Sequence, residues 1–308
     1  MIRPRDRQTA NRLDTVLMAF SKAEHPLPGI VPLNRRQTFV AQMIESMRRI
    51  EVIELLKNSP VSVACSNPQS AAFNPIKAAI YHSQQGSREE AFWLVFLLTH
   101  FSKHHRQGWA LMQAVYGNLG ISPFWTWQQI STNLPAFRLW LRQNQTALQR
   151  LHFGNHRKYE TVREDSDRGL ANVVEAYVGW VSPPRTQDEK VREVIRGFND
   201  PHAAFDALYN DASTLFRWGR LAKFDHLTML KKVGLLNITP GRAYLTQATG
   251  PRRGAALLLH DNSDHQLDIK AAEAVLAKLG QHLGVGQQEV EDSLCNWQKS
   301  PDHFRPFR

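Results

Sequence analysis

"FDHLTMLKKVGLLNITPGRAYLTQATGPRRGAALLLHDNSDHQLDIKAAEAVLAKLG", Phe224 to Gly280, decides how this chain folds. Apolar residues recur at three- and four-residue spacing in "FDHLTMLKK", in "GAALLL" and in "IKAAEAVLAKLG", the period of helices with one buried face. Between the first two lies "ATGPRRGAALLL" (Ala248 to Leu259), where a Gly-Pro turn with two arginines opens into an apolar run. Helix, glycine-containing turn and second helix give the outline of a helix–hairpin–helix. In that motif the hairpin amides and the following helix N-terminus point at a DNA phosphate. Gly250 would let the backbone approach closely, and Arg252 and Arg253 would add charge. The competing reading is a plain turn between helices with solvated arginines.

Outward from this stretch the periodicity stays helical. Residues 1–34 are rich in Pro and Arg around one apolar stretch, "LDTVLMAF", and read as an arm or short helix laid on the body. From Arg35 to Lys57, Phe39, Met43, Met47 and Ile50 recur at helical spacing. "NSPVSVACSNPQSAAFNP" (Asn58 to Pro75) is turn-rich and breaks that helix. A second helix is predicted from about Ser87 to Tyr116 with a break near Gly108, buried all round at its apolar start. "SPFWTWQQI" opens further helical spacing, "FGNHRKYETVREDSDRG" (Phe153 to Gly169) is a polar loop, and "SPPRTQ" reads as a linker. No strand alternation and no internal repeat is sustained. The expected fold is all-α, with two helical lobes: an arm over 1–34, a helical lobe over 35–190 and a hairpin-bearing lobe over 191–308.

Length and composition bound the function. A chain of 308 residues can bury a large core or build two lobes around one cleft. At 42% hydrophobic and 21% charged it has the balance of a soluble globular protein. A formal charge of +10 suits an anionic partner, of which nucleic acid is the commonest. Cys65 and Cys295 cannot by themselves make a zinc site or an iron–sulfur cluster. No apolar segment follows the early charges, and "AFWLVFLL" (Ala91 to Leu98) is too short to span a bilayer. We therefore expect a cytoplasmic monomer with no membrane contact. His100 and His104 are four apart on an expected helix, a metal-ligand spacing, but no third ligand accompanies them. No metal or cofactor is expected. Walker, dinucleotide-binding and serine-elbow motifs are also missing, so phosphoryl transfer, nicotinamide redox chemistry and serine hydrolysis lack support.

Several carboxylates could carry chemistry. Asp268 follows Gly250 by 18 positions and precedes "IKAAEAVLAKLG". DNA glycosylases of the helix–hairpin–helix class place an aspartate at similar spacing, because breaking an N-glycosidic bond develops positive charge on the sugar. Asp268 also has the place of an ordinary N-cap, and the two roles are compatible. Asp225 in "GRLAKFDHL", and Glu291 and Asp292 in "QEVEDSLCNWQKS", compete with it. The last of these stretches also offers Asn296, Trp297 and Lys299, with groups that could read a flipped base. Trp125, His156 and Tyr159 are further candidates for a base pocket, and Arg157, Lys158, Arg220 and Lys223 for DNA contacts. The competing readings are core aromatics and solvated charges.

"FGNHRKYE", "FRWGRLAKFDHL", "YLTQATGPRRGAALLL" and "EDSLCNWQKSP" together resemble the signatures of the α-glutamyl/putrescinyl thymine pyrophosphorylase family, over roughly Phe92 to Pro301. Those proteins are similar to helix–hairpin–helix DNA glycosylases. The resemblance implies that glycosylase-like architecture and action on hypermodified pyrimidines of phage DNA. Some relatives look like bacterial defence glycosylases that excise glucosylated hydroxymethylcytosine and leave abasic sites. Bifunctional members of the wider class carry a Schiff-base lysine near the hairpin, where this chain has Arg252, Arg253 and Gly254. Arginine stays protonated and cannot be that nucleophile. The expectation is thus a monofunctional DNA glycosylase acting on double-stranded DNA with modified bases. The alternatives are a pyrophosphorylase or transferase on hypermodified thymine, and a DNA-binding protein without activity.

Overall fold

The computed structural model describes residues 2–306. It contains α1 (Arg7–Ala23), α2 (Leu33–Lys57), α3 (Pro75–Gln84), α4 (Arg88–Phe101), α5 (Ala110–Tyr116), α6 (Trp127–Thr132), α7 (Leu134–Leu148), α8 (Leu170–Val181), α9 (Gln187–Val194), α10 (Pro201–Asp211), α11 (Arg220–Lys232), α12 (Gly250–His260), α13 (Ile269–Leu283) and α14 (Gln287–Trp297). Only two isolated β-bridges interrupt the helices among the described residues, so the fold is all-α.

Two compact units divide the chain. One joins the chain up to Val52 to the chain from Thr239 onward, and the other is Ile53–Ile238. This partition differs from the expected boundaries at 34 and 190, and the reason is burial. Leu13, Leu17 and Phe20 fall on one face of α1 and share a core with Phe39 and Met43 of α2, Leu258 of α12, Leu276 and Leu279 of α13, and Leu294 and Trp297 of α14. Burying each such side chain contributes about 1.5–3 kcal/mol. The expected arm is therefore a 17-residue core helix. Arg12 Nη1 also donates to the Leu283 carbonyl at 2.7 Å, covering a free acceptor at the end of α13.

The second unit is organised around α4. Ala91 to Phe101 are all buried, as the unbroken apolar run requires. Phe96 stacks on Tyr177 at 3.9 Å between ring centroids and on Trp218 at 5.3 Å. Side chains that offer acceptors to free N–H groups start the surrounding helices: Asn74 for α3, Asp200 for α10, and Thr186 with Glu189 as a capping box for α9. α4 stops at Phe101, where Ser102 takes a φ of 54°. His104 consequently lies beyond the helix, in a turn closed by paired bonds with Gly108, and the spacing argument for a His100–His104 metal pair lapses.

The hairpin is also built differently from the sequence expectation. α11 ends at Lys232 in the second unit and α12 begins at Gly250 in the first, with residues 233–249 irregular between them. Positive φ at Gly234, Tyr244 and Gln247 bends that connection repeatedly. A long irregular connection, not a tight turn between neighbouring helices, leads into α12.

Candidate functional site

In the second unit, two of the quoted motifs meet. Glu160, closing "FGNHRKYE", accepts both Arg217 Nε at 2.8 Å and Arg217 Nη2 at 2.9 Å. Arg157 Nε donates to the Thr99 carbonyl at the end of α4, at 3.1 Å. Its Nη2 is enclosed without a hydrogen-bond partner. Burial holds the Arg157 guanidinium below its ordinary value, and the nearby charges of Asp225 and Glu160 oppose that. Thus Asp225, on the first half of α11, sits within charge range of a largely enclosed cation. Two buried histidines flank the group. Burial pushes His100 down to about 3, helped by Arg157 and Arg217. Burial likewise pushes His226 down to about 3, against its bond with the Val95 backbone. Both rings are neutral at physiological pH. His100 Nε2 and His226 Nδ1 are buried without partners.

Such a set can hold a carboxylate in a low-dielectric surrounding and place donors beside it. There a charge acts more strongly than in water. Asp225 and Arg157 were expected site residues. Glu160, Arg217 and His226 were not singled out, although all three lie inside the quoted motifs, and His100 was weighed only as half of a metal-ligand pair. Opposite charges on two separated polar segments were the available signal.

The first unit holds the remaining carboxylates. Asp268 is exposed and accepts the Ala271 N–H at 3.1 Å, the N-cap bond of α13. Arg252 Nη2 donates to Gln266 at 3.0 Å, and Arg253 Nη2 to Ser263 at 3.2 Å, with Asp264 3.2 Å from Arg253 Nη1. Both arginines therefore reach into the same loop that ends in Asp268. Gly250 has another duty than the expected one. A Cβ there would lie 2.8 Å from Cys295 Sγ, and one on Gly254 would lie 2.2 Å from the Leu294 carbonyl oxygen. The two glycines seat α12 against α14, and this close packing accounts for both of them.

α14 is mostly structural. Trp297 is fully buried, edge-on to Phe39, and its indole N–H donates to the Arg35 carbonyl at 3.1 Å. A side chain so placed packs the core and cannot stack on a base. Glu291 is buried on the same helix. Asp292 accepts Ser46 Oγ at 2.9 Å, with Arg49 3.9 Å away. Asn296 donates to the Asp292 carbonyl and accepts from Lys299.

Other candidates divide by burial. Tyr159 is 68% exposed beneath the Lys158 ammonium, and His156 is exposed. Trp125 packs edge-on to Phe137 with its indole N–H enclosed and unpartnered. Arg220 and Lys223, expected at DNA, are buried. Arg220 lies over the Phe224 ring and Lys223 over Tyr209, with Lys223 Nζ 2.6 Å from Ser213 Oγ. Their stems and charges serve internal packing.

The chain belongs to the family described as alpha-glutamyl/putrescinyl thymine pyrophosphorylase clade 3, whose sequence model matches residues 34–308. No curated protein and no solved structure matches the chain.

Proposed function

We propose that this protein is a monofunctional DNA glycosylase that hydrolyses the N-glycosidic bond of a bulky modified pyrimidine. Family membership supports the substrate class, since the family's name refers to thymines carrying a glutamyl or putrescinyl group. The observation that carries the reading is the position of Asp225, a half-buried carboxylate within charge range of the enclosed Arg157. Asp268, the second choice, is solvated, and a charge facing water stabilises less.

In this reading the target nucleotide leaves the stack at a cost of a few kcal/mol. The C1′–N1 bond breaks with its electron pair going to the base. Asp225 stabilises the cationic sugar and takes a proton from the incoming water, whose oxygen bonds to C1′. Asp225 gives that proton up again and the departing base anion takes one in its place, so the carboxylate is regenerated and an abasic site remains. Arg252 and Arg253 contact the phosphate backbone, and the net charge of +10 favours the duplex. The absence of a lysine at the turn leaves no amine there for lyase cleavage. Excision of glucosylated hydroxymethylcytosine from phage DNA would make the enzyme a cytoplasmic defence factor. Incubating the protein with such DNA and with unmodified DNA, and counting aldehyde-reactive sites, tests the proposal. Sites in the modified DNA alone support it, and none in either opposes it.

The family's name favours one other reading, exchange of the base against pyrophosphate. Release that requires added pyrophosphate would identify it.

A further inference from the structure

The second unit contains a cleft of about 360 Å³ to which neither the four candidate catalytic carboxylates nor the expected base-pocket residues contribute. That volume lies within the roughly 300–1,000 Å³ range of small-molecule sites. Phe153 forms one wall and is fixed from behind, stacked on Phe101 at 5.3 Å and meeting the buried His100 edge-on at 5.6 Å. Val162, also lining it, is buried. Beside these apolar surfaces lie His104, His152, Asn155 and Lys158. Glu160 is the acidic group of the lining, and Arg217 already neutralises it through two hydrogen bonds. The cleft thus combines ring surfaces, an amide and an uncompensated positive charge.

The frame is fastened at several points. Gln107 accepts the His152 N–H at 2.9 Å and donates to the Arg150 carbonyl at 3.2 Å, joining the turn after α4 to the segment after α7. His104 Nδ1 accepts the Gln107 N–H at 3.1 Å, which assigns the proton of the neutral ring to Nε2, a donor. Gly154 donates to the Phe101 carbonyl at 2.9 Å, and a Cβ there would meet Ser102 at 2.7 Å. The loop carrying Asn155 and Lys158 is held tightly to the end of α4.

We infer that this cleft binds a single extrahelical pyrimidine nucleotide, with its ring against Phe153 and His152, its edge at Asn155 and its phosphate at Lys158. A ring surface recognises any base, an amide supplies both donor and acceptor to a base edge, and an ammonium is a compact phosphate partner. The inference rests on the glycosylase reading for its choice of nucleotide.

The test uses isothermal titration of the full chain with three probes: 5-hydroxymethyl-dCMP, a single-stranded oligonucleotide containing one such base, and inorganic phosphate. His152, Asn155 and Lys158 are exposed, so their Ala variants fold. The expected result is saturable nucleotide binding, weakened on the order of tenfold by His152→Ala and by Lys158→Ala, the size of one stacking or charge contact. The exposed Arg196→Ala, which removes the same charge elsewhere, should bind like the parent chain. Binding of phosphate as tight as that of nucleotide would overturn base recognition. Binding unchanged in His152→Ala and Lys158→Ala would overturn the assignment of the cleft. The two failures separate cleanly. Loss of nucleotide binding in these variants without base release by the parent chain sinks the glycosylase reading and keeps the cleft. Undiminished base release with unaltered binding does the reverse.

Discussion

Glu160 and Arg217 form a two-bonded ion pair that ties the loop after α7 to the segment before α11. Neither residue's side chain is more than a quarter exposed. Removing one partner leaves the other desolvated and unpaired. We expect Glu160→Gln to destabilise the protein by about 1–3 kcal/mol, read as a lower urea midpoint. Arg217→Lys should cost a similar amount, because an ammonium cannot make both bonds. An unchanged midpoint in both would mean that the pair is solvated.

Asp225 and Asp268 can be separated by the same substitution. Asn is as good an N-cap as Asp, so Asp268→Asn should keep stability and base release within a few-fold. Asp225→Asn removes the charge next to Arg157 and should lower base release on the order of 10²–10³-fold while duplex binding persists. Equal loss in both variants, or loss only in Asp268→Asn, would move the catalytic role to α13.

Arg252→Ala combined with Arg253→Ala should weaken binding to all duplex sequences alike. It should also make the salt dependence shallower, by up to about two phosphate contacts. Fluorescence anisotropy across a salt series measures both. An unaltered slope would reduce the pair to partners of Gln266, Ser263 and Asp264.

Gly254→Ala tests the packing of α12 on α14. Its Cβ would fall 2.2 Å from a backbone oxygen, which no rotamer change relieves. Overpacking of this kind costs about 1–3 kcal/mol or more. Thermal unfolding should show the loss, and a Tm equal to the parent's would refute the close approach.

Glu90 makes stability depend on pH. It is enclosed between α5 and α6, accepting Tyr116 O–H at 2.8 Å and Trp127 N–H at 2.9 Å. Burial raises its carboxyl from 4.5 to about 7, and the two hydrogen bonds oppose the shift. The folded state therefore holds the proton more tightly than the unfolded chain. This contribution is complete below pH 4.5 and is lost as pH rises through 7. Glu90→Gln keeps an acceptor for the Trp127 N–H and, like the protonated carboxyl, can offer the Tyr116 oxygen a donor in place of the acceptor it used. It should raise Tm at pH 8 by several degrees and change it little at pH 4.5. A parallel shift at both values would contradict the account.

Helical periodicity was legible wherever one face is buried, as in α2 and α13, because a single stripe of apolar residues sets the repeat. The ends of α4 and the length of α1 were less so. Ser102 leaves the helix through a positive φ, and Leu13, Leu17 and Phe20 are buried by helices more than two hundred residues distant in sequence. Gly250 and Gly254 could be read as a turn because a glycine that admits a ligand and one that admits a helix look alike in one dimension. Trp297 looked like a stacking platform until its indole was found bonded in the core. Asp225 and Arg157 were visible as residues, but their nearness depends on two segments that meet only in the fold.

The most direct test of the central claim is mass spectrometry of a reaction run in H₂¹⁸O on DNA with a glucosylated hydroxymethylcytosine, with and without pyrophosphate. Hydrolysis predicts free modified base, an equal number of abasic sites and one ¹⁸O at C1′ of the sugar, with no need for pyrophosphate. Absence of free base, or release only with pyrophosphate and without ¹⁸O, would contradict it.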